Sequence, residues 1–414
     1  MKVGLVTTWA ECGAGHVSLA YAQALEQAGC QVAIYARGQY LPELRWGRSA
    51  LRPWPVERDR SVAGLSRVDH QQFGRWLRSF SPDWLIFNEQ RAWAPVLQAR
   101  AAGIPCAAYV DYYRADTVPL FQLYDVLFCH TQRHHGVFAA DPRALLIPWG
   151  VDLCAFAPGP RQLANLPKSE PLVIVHSAGM AGPNDRKGTD LALQAFVLAP
   201  GPATLLVHSQ IDLNHWPQAW RTCLEQDPRI QPLTGPLQSV DLYRQGDLYL
   251  YPSRLEGIGL TLPEALATGL AVITTGEPPM SEFVRPPETG TLVPVTDYRA
   301  RVDGYYWPEA WLNPALLADA LRPYVADPAL ARRQGRLARQ WMEQERDWSE
   351  VGQAIPQALA ATPRRVLTAD HGLALQREAR YQDRRHEPRV RDLLRESLAT
   401  ACRQWRRVVA RSRY

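Results

Sequence analysis

Short apolar segments alternate with helix-like patterns over about the first 150 residues, an order typical of a parallel α/β domain. A glycine-rich turn, residues 11–16, follows the first apolar segment and precedes a helical pattern that closes at Gly29. A strand–loop–helix–strand unit of this kind favours a parallel sheet. The segments that we predict to be strands are 3–8, 32–35, 84–87, 107–110, 126–128 and 145–147.

A second strand–helix series begins after a segment rich in turn-forming residues, 148–167, which we interpret as a linker. Its predicted strands are 172–175, 204–207, 248–251 and 271–274. The pattern therefore predicts an α/β protein with two Rossmann-like, doubly wound domains, 1–158 and 159–350, facing across a cleft and followed by a helical extension, 351–414. Ligands of such sheets bind at the carboxyl ends of the strands, so we expect the site in loops that follow strands.

Charge is distributed unevenly along the 414 residues. The net charge is +5, but residues 364–414 contain fourteen Arg, no Lys and only six Asp or Glu. The body of the chain is therefore close to neutral, which argues against a general nucleic-acid binder and places any electrostatic partner at the tail. No segment approaches the ~18 uncharged apolar residues of a membrane-spanning helix, and no secretory signal is recognisable.

Cysteine and histidine positions do not suggest a metal site. The seven cysteines have neither zinc nor redox spacing, so we expect reduced thiols in a cytoplasmic protein. His130, His134 and His135 lie close together in sequence, but residues with these spacings do not all share one face of a helix. We therefore predict that the protein binds no metal ion.

The most informative segment is residues 252–269, which follows the predicted strand 248–251. Gly257 and Gly259 allow the backbone to approach a ligand closely. Pro263 fits the first turn of a helix, where Glu264 is favoured by the helix dipole. Two carboxylates eight residues apart, Glu256 and Glu264, can hold different parts of one ligand. From the spacing alone, a helix-capping Glu264 and a solvated Glu256 remain an equally good interpretation.

The full segment resembles the E-x7-E signature of retaining glycosyltransferases with the GT-B fold, particularly glycosyltransferase family 4. Other motifs of that family resemble segments over about 1–350. These are the linker 147–158, with Trp149 in place of the usual Asn; Arg186-Lys187-Gly188; Thr234-Gly235; residues 247–253; Asp347-Trp348-Ser349; and the glycine loop with Gly13 and Gly15.

The resemblance implies an acceptor-side domain at 1–158 and a sugar-nucleotide-binding domain at 159–350, and it implies roles for the residues of these motifs. Glu264 would accept hydrogen bonds from the ribose hydroxyls of a sugar nucleotide, and Glu256 would contact the donor sugar. Lys187, one of only three lysines, would hold the diphosphate and stabilise it as it leaves. The donor is also expected to contact the loop residues Gly257, Ile258, Gly259 and Leu260 and the glycines Gly13, Gly15 and Gly235.

The sequence departs from the family pattern at two positions. Members often have an Arg after the first strand of the second domain, whereas Gly179 is followed here by Met180, so Arg186 is expected to supply that cation. Members also often have a His after the fourth strand of the first domain, where this chain has Asp111. Asp111 either binds a sugar hydroxyl or is a structural loop residue. His16 either contacts the diphosphate or the acceptor, or it has a structural role at the start of a helix.

The resemblance predicts a retaining, metal-independent glycosyltransferase. Its donor substrate is a nucleoside diphosphate sugar, it needs no cofactor, and its acceptor is a glycan, a glycolipid or a small molecule. Because no second carboxylate is evident for double displacement, front-side attack assisted by the leaving diphosphate is the expected mechanism. The alternatives are a catalytically silent sugar-nucleotide-binding or partner subunit, and a sugar-nucleotide epimerase of the same fold.

The C-terminal tail, residues 389–414, reads as an amphipathic helix. Leu394, Leu398, Cys402, Trp405 and Val409 form one apolar stripe, and seven arginines surround it. This pattern is typical of a helix on an anionic membrane surface, which would make the protein peripheral at the inner membrane face. A helix packed on the first domain, with solvated arginines, is the alternative.

Overall fold

The computed structural model describes residues 1–37, 54–61, 66–167, 169–179, 186–235, 237–365 and 367–385. The chain divides into two compact units. The first unit comprises residues 1–127 and the described part of the chain from Ile355 onward, and the second comprises Phe128–Ala354.

The first sheet has seven strands in the order β3-β2-β1-β4-β5-β6-β7, and the pairs from β3 through β5 are parallel. Val3, in the central strand, lies between Val32 and Trp84. The strands are β1 (Lys2–Thr7), β2 (Gln31–Ala36), β3 (Val56–Arg58), β4 (Trp84–Asn88), β5 (Cys106–Tyr109), β6 (Val126–Cys129) and β7 (Ala144–Leu146). The helices along this part of the chain are α1 (Gly13–Gln27), α2 (His70–Phe80), α3 (Ala94–Ala101), α4 (Gln132–Phe138) and the 3-10 segment Val118–Leu123.

The second sheet is parallel throughout, in the order β10-β9-β8-β11-β12-β13. Leu248 lies between Ile174 and Ala271. The strands are β8 (Leu172–Gly179), β9 (Ala203–Ser209), β10 (Ile230–Thr234), β11 (Leu248–Tyr251), β12 (Ala271–Thr275) and β13 (Gly290–Val293). The helices are α5 (Pro160–Leu163), α6 (Thr189–Val197), α7 (Gln218–Gln226), α8 (Ser239–Tyr243), α9 (Thr261–Ala267), α10 (Pro314–Ala326), α11 (Pro328–Glu345) and α12 (Trp348–Val351), with 3-10 segments Leu213–His215 and Met280–Phe283.

Helices cover both faces of the second sheet, which explains the apolar character of its strands. All four residues of β11 are buried, as expected for a strand in the middle of a parallel sheet. The hydrophobic core of this unit combines strand residues such as Leu205 and Ile273 with Phe196 of α6 and Leu321 of α10. The core thus fixes the position of the loop at the carboxyl end of β11.

The structure confirms the predicted fold class of two Rossmann-like α/β domains. Each predicted strand is present to within two residues at its ends, except that β8 continues to Gly179. The predicted boundary at residue 158 separates the strands of the first sheet from those of the second. The exact domain limits stay predictions.

Trp149, which departs from the linker motif, packs on a second tryptophan of the same unit. The Trp149 ring centroid lies 4.3 Å from that of Trp348, and His130 meets Trp149 edge-on at 4.9 Å. Beside them, a Cβ on Gly150 would come within 2.6 Å of the Arg346 carbonyl oxygen, so only glycine fits there. Trp149 thus joins an aromatic cluster with the Asp347-Trp348-Ser349 motif.

A hairpin and the strands β3, β10 and β13 were not predicted from the sequence, whereas two helices lie within the helical extension predicted for 351–414. An antiparallel hairpin, β14 (Asp297–Arg299) and β15 (Glu309–Trp311), follows the second sheet. In the first unit, α13 (Ala354–Ala361) is followed by α14 (Ala369–Arg385), whose Asp383 carboxylate accepts hydrogen bonds from the Trp93 and Ala94 amides at the start of α3. The apolar stripe of α14 is too weak to recognise, because its buried positions are Leu375, Ala379 and Gln382.

The predicted tail helix, residues 389–414, lies outside the described residues, as does Met180. None of the helices in the described ranges has the length and apolar character needed to cross a bilayer. The six cysteines that the structure describes are all free thiols.

Candidate functional site

Two loops of the second unit approach each other closely at the carboxyl edge of its sheet. Gly188, just before α6, has a φ of +68°, and a Cβ at this position would lie 2.1 Å from the Pro252 carbonyl oxygen. Only glycine therefore allows this approach. The Arg254 amide donates to the Arg186 carbonyl at 2.8 Å, which joins the loop after β11 to the end of the loop after β8. This contact brings the two predicted motifs into one site.

Glu256 is the centre of this site. Its side chain is 7% exposed, and its Oε2 accepts a hydrogen bond from Arg186 at 2.7 Å. Its Oε1 accepts from Lys187 at 2.9 Å, from the Tyr251 hydroxyl at 2.6 Å and from Ser253 Oγ at 2.7 Å. We call these five residues the Glu256 cluster. The carboxylate therefore has a full set of donors, and two of them carry a positive charge.

The charges of the cluster set its protonation state. Burial alone would raise the pKa of Glu256, but Arg186 and Lys187 hold that pKa well below its usual range. Burial lowers the pKa of Lys187, and the Glu256 carboxylate opposes that shift. The Lys187 and Arg186 side chains remain 23% and 40% exposed. The cluster thus presents cationic groups to solvent while its carboxylate stays buried.

Glu264 lies in the first turn of α9, as predicted, and Gly269 follows the end of that helix with a φ of +90°. Glu264 Oε2 accepts a hydrogen bond from the Tyr243 hydroxyl at 3.2 Å. Burial raises the pKa of Glu264 to about 7, although Ser239, Tyr243 and Lys187 oppose the shift. This carboxyl group therefore titrates near neutral pH, unlike Glu256.

The predicted glycines of the second unit lie at the same edge of the sheet. Gly259, in the loop 257–260 with Ile258 and Leu260, has a φ of +85°. Gly235 follows β10 with a φ of +99°, and its amide donates to the Ser209 carbonyl of β9 at 3.2 Å. Among the described residues, no atom lies within 4 Å of where a Cβ on Gly235 would be. These residues therefore leave space for a ligand beside Gly235.

The remaining predicted site residues belong to the first unit. Asp111 is half-buried in the loop after β5, and Gly13 and Gly15 lie in the first turn of α1. His16 is exposed on the same helix. These residues follow the carboxyl ends of β5 and β1, where the sequence places them, and their part in donor binding stays a prediction.

The histidine-rich segment after β6 has a structural role. His130 Nδ1 lies 2.7 Å from the Ile147 carbonyl oxygen, and His134 Nε2 lies 3.1 Å from that of Gly257. Burial lowers the pKa of His130 to about 4 and that of His134 to about 3, so both imidazoles are neutral at physiological pH. Across the described ranges, no three His, Cys, Asp or Glu side chains are grouped so as to hold a metal ion.

Sequence reasoning missed two members of the Glu256 cluster. Tyr251 was assigned only to an apolar strand, and Ser253 only to the motif that surrounds it. The signal was present, because Tyr251 ends a parallel strand and Ser253 follows it, at the edge where ligands bind. Tyrosine at the end of a buried strand buries its ring and directs its hydroxyl to this edge.

Comparison with known proteins agrees with this architecture. The structure of the Anabaena protein Alr3699/HepE in complex with UDP has a TM-score of 0.68, at 15% identity, over 87% of this chain and 99% of that chain. The sucrose-phosphate synthase of Thermosynechococcus elongatus has a TM-score of 0.63, at 20% identity, over 86% and 98%. The chain has the GT-B fold. Residues 171–304 of this GT-B chain match the family model described as "Glycosyl transferases group 1".

Curated relatives of the GT-B chain are also glycosyltransferases. The lipopolysaccharide core biosynthesis mannosyltransferase LpcC of Rhizobium leguminosarum is 29% identical over 345 residues, which are 78% of this chain and 87% of the relative. The D-inositol 3-phosphate glycosyltransferase of Geodermatophilus obscurus is 33% identical over 180 residues, 39% of this chain and 38% of the relative. The GT-B fold is therefore confirmed, and the family model and the curated relatives support the expectation of a glycosyltransferase.

Proposed function

We propose that the chain is a retaining, metal-independent glycosyltransferase of family 4 that moves a sugar from a nucleoside diphosphate sugar to an acceptor. The observation that carries this proposal is the Glu256 cluster, with Glu264 beside it at the same edge of the sheet. Partly exposed cations and a second carboxyl group suit the two ends of a nucleoside diphosphate. The donor is a substrate, and the proposal needs no cofactor.

Lys187 and Arg186 act on the leaving group. When the bond between the anomeric carbon and the diphosphate oxygen breaks, its electron pair stays on the diphosphate, which gains negative charge. Two fixed cations stabilise that charge more strongly in the transition state than in the ground state. The acceptor hydroxyl attacks from the same face of the sugar and passes its proton to the departing diphosphate oxygen. This front-side step retains the anomeric configuration.

Glu256 changes partners in this account. Without a donor, its carboxylate holds both cations, at 2.7 and 2.9 Å. A diphosphate that approaches their exposed sides competes with Glu256 for the same N–H donors. The carboxylate then has free lone pairs with which to accept a hydrogen bond from a hydroxyl of the donor sugar.

Glu264 binds the ribose in this proposal. Its ionised carboxylate accepts hydrogen bonds from the ribose hydroxyls, while Gly235 leaves room for the nucleoside. The acceptor is a glycan, a glycolipid or a small molecule. The name of the Rhizobium relative, a mannosyltransferase of the lipopolysaccharide core, makes a glycan acceptor and a mannose donor the first choices to test.

Thermal-shift measurement against UDP-, GDP- and ADP-sugars tests the proposal. One of them should stabilise the full-length protein by ~2.7 kcal/mol at 100 times its dissociation constant. The same donor should be hydrolysed slowly without an acceptor. Glu350→Ala, at an exposed position on α12, is the control and should behave as the wild type. Stabilisation without hydrolysis would instead indicate a silent sugar-nucleotide-binding subunit, and no stabilisation would reject donor binding.

We also propose that residues 389–414 attach the protein peripherally to the cytoplasmic face of a membrane. The support is the sequence pattern alone, a Trp405-containing apolar stripe among arginines. Vesicles that contain anionic lipid should bind the full chain, and salt should weaken binding. Truncation after Pro388 should abolish it and leave donor binding intact. A lower melting temperature on truncation, with no vesicle binding by either form, would indicate a docked helix.

A further inference from the structure

The hairpin of β14 and β15 is unusually aromatic. We call residues 297–311 the aromatic hairpin. Aromatic residues make up 9% of the chain but occupy five of these fifteen positions. They are Tyr298, Tyr305, Tyr306, Trp307 and Trp311. A surface hairpin does not need so many rings for its own stability, so their contacts and exposure need an explanation.

One end of the hairpin is attached to the donor site. The Ala310 amide donates to the Arg254 carbonyl at 2.8 Å, and the Arg254 guanidinium lies 3.8 Å from the Trp311 ring centroid. Arg254 also donates to Asp190 in the first turn of α6 at 2.7 Å. Arg254 is two residues from Glu256, so the hairpin continues the loop that carries the Glu256 cluster.

The other part of the hairpin is fixed by Arg133 and Glu277. The Arg133 guanidinium lies 4.6 Å from the Trp307 ring centroid and donates to Glu277 at 2.9 Å. The second oxygen of Glu277 accepts from the Tyr298 hydroxyl at 2.7 Å. Arg133 and Glu277 thus hold Trp307 and Tyr298 in place. The conformational entropy of these two side chains is therefore already reduced before any ligand binds.

The hairpin nevertheless leaves apolar surface in solvent. Tyr298 is 53% exposed and Tyr306 40%, and Val302 at the tip is fully exposed. Rings that are held rigidly and remain half exposed are typical of binding surfaces, because they offer a large contact area at little entropic cost.

The charges of the hairpin indicate what it binds. Its two basic residues are both paired with acids, Arg299 with Asp297 at 3.0 Å, and Arg301 with Asp303 at 2.7 Å and with Glu309 at 3.9 Å. This balance disfavours an anionic membrane or a nucleic acid, which need an excess of positive charge. Neutral polyols suit it, because carboxylates accept hydrogen bonds from hydroxyls, and the C–H face of a pyranose packs on the electron-rich face of an aromatic ring.

We propose that the aromatic hairpin is a saccharide-binding platform that holds the acceptor glycan beside the donor site. Tyr306 and Tyr298 supply the stacking faces. This inference rests on the proposed glycosyltransferase function, and it extends that function by adding a surface of the second unit to acceptor recognition. Tyr306 is a binding residue in this account and takes no part in bond breaking.

Saturation-transfer NMR on the full-length protein tests the platform, with neutral mono- to tetrasaccharides of glucose, galactose and mannose as probes. A nucleoside diphosphate that binds is present throughout. At least one saccharide should receive saturation, and Tyr306→Ala should weaken its binding about tenfold. Tyr306→Phe, which keeps the ring, should restore it. The control is Tyr381→Ala, which removes a tyrosine that is 50% exposed on α14 and should change nothing.

Each other outcome contradicts the platform. Absence of saturation transfer to every probe, or equal transfer in Tyr306→Ala and wild type, removes the hairpin from acceptor binding. Vesicle binding that Tyr306→Ala abolishes would instead make the hairpin a membrane contact. Nucleoside diphosphate affinity is measured in parallel and should be the same in all these variants. If the wild type binds no nucleoside diphosphate, it is the proposed function that fails.

Discussion

Charged side chains at the carboxyl edge of the second sheet pair with one another, whereas Arg37, at the same edge of the first sheet, donates to a backbone carbonyl. In the second unit, Glu256 takes hydrogen bonds from Arg186 and Lys187, and both cations keep an exposed side. Such pairs can exchange partners when an anion arrives. This is the behaviour expected of a donor site.

The first sheet shows the other arrangement. Arg37, directly after β2, is 3% exposed and donates to the Asn88 carbonyl and, at 3.4 Å, to Ser66 Oγ. Burial lowers its pKa to about 10, so it stays charged at neutral pH. Asn88 in turn donates to the Ala14 carbonyl at 2.6 Å, in the first turn of α1. These bonds tie the end of β2 to the end of β4 and to the first turn of α1, and they leave little for a ligand to displace.

The difference explains which parts of the site could be read from the sequence. A site of paired charges needs particular residue types at fixed spacing, so Lys187, Glu256 and Glu264 stand out. Hydrogen bonds to backbone carbonyls leave no such signature in the sequence, so Arg37 was not predicted as a site residue. Glu89 was not predicted either, although it is a non-glycine residue with a φ of +49°. Such strained residues often lie at functional positions.

The largest expected effect concerns the leaving group. Lys187→Ala should lower kcat by about 10²–10³-fold, because its charge acts most strongly as the diphosphate departs. Steady-state turnover and melting temperature, measured together, check this. Lys2→Ala, in the first unit, is the matched control and should keep full turnover. Normal turnover in Lys187→Ala would show that Lys187 does not stabilise the leaving diphosphate, and Arg186 would become the candidate.

The second effect is on binding. Glu264→Ala should weaken nucleoside diphosphate affinity by about 1.5–3 kcal/mol, or roughly 10- to 100-fold, because it removes hydrogen bonds to a charged group. Calorimetric titration measures this directly. Asp111→Ala in the first unit is the comparison and should leave this affinity unchanged. A loss in Asp111→Ala as large as in Glu264→Ala would show that Asp111 contributes as much to nucleotide binding as Glu264 does, and it would contradict the contrast between the two edges.

The third effect should be on stability and not on binding. Arg37→Met should lower the free energy of unfolding by about 1–3 kcal/mol, because it leaves the buried Asn88 carbonyl without its donor. Urea denaturation checks the loss, and nucleotide affinity below the unfolding transition should equal that of the wild type. Weaker nucleotide binding by the folded variant would contradict the contrast between the two edges.

The smallest expected effect is a dependence on pH. Because burial raises the pKa of Glu264 from 4.5 to about 7, its contribution to stability is present below pH 4.5 and is lost as the pH rises through about 7. Donor affinity should change in the opposite direction and rise through about pH 7, since the ionised carboxylate binds the ribose. Glu264→Gln should remove this part of both profiles. A donor affinity that falls through pH 7 in the wild type, but not in Glu264→Gln, would contradict the ribose role.

Much of the fold followed from the sequence, because strands buried on both faces are apolar throughout and are separated by turn-forming residues. The hairpin at 297–311 was missed because its strands have three residues each and are held by Arg133, Glu277 and Arg254, which lie far away in sequence. Tyr251 was missed for a similar reason. The strand pattern predicts that Tyr251 is buried, but it does not show which group the Tyr251 hydroxyl contacts.

Calorimetric binding of a nucleoside diphosphate and of its parent nucleoside, to wild type and to Lys187→Ala, tests the central claim most directly. The account places the diphosphate on Lys187 and Arg186 and the nucleoside near Glu264. One of UDP, GDP and ADP should therefore bind the wild type more tightly than its nucleoside does, and Lys187→Ala should lose much of that difference while binding the nucleoside as before. Equal diphosphate affinity in the two proteins would contradict the account.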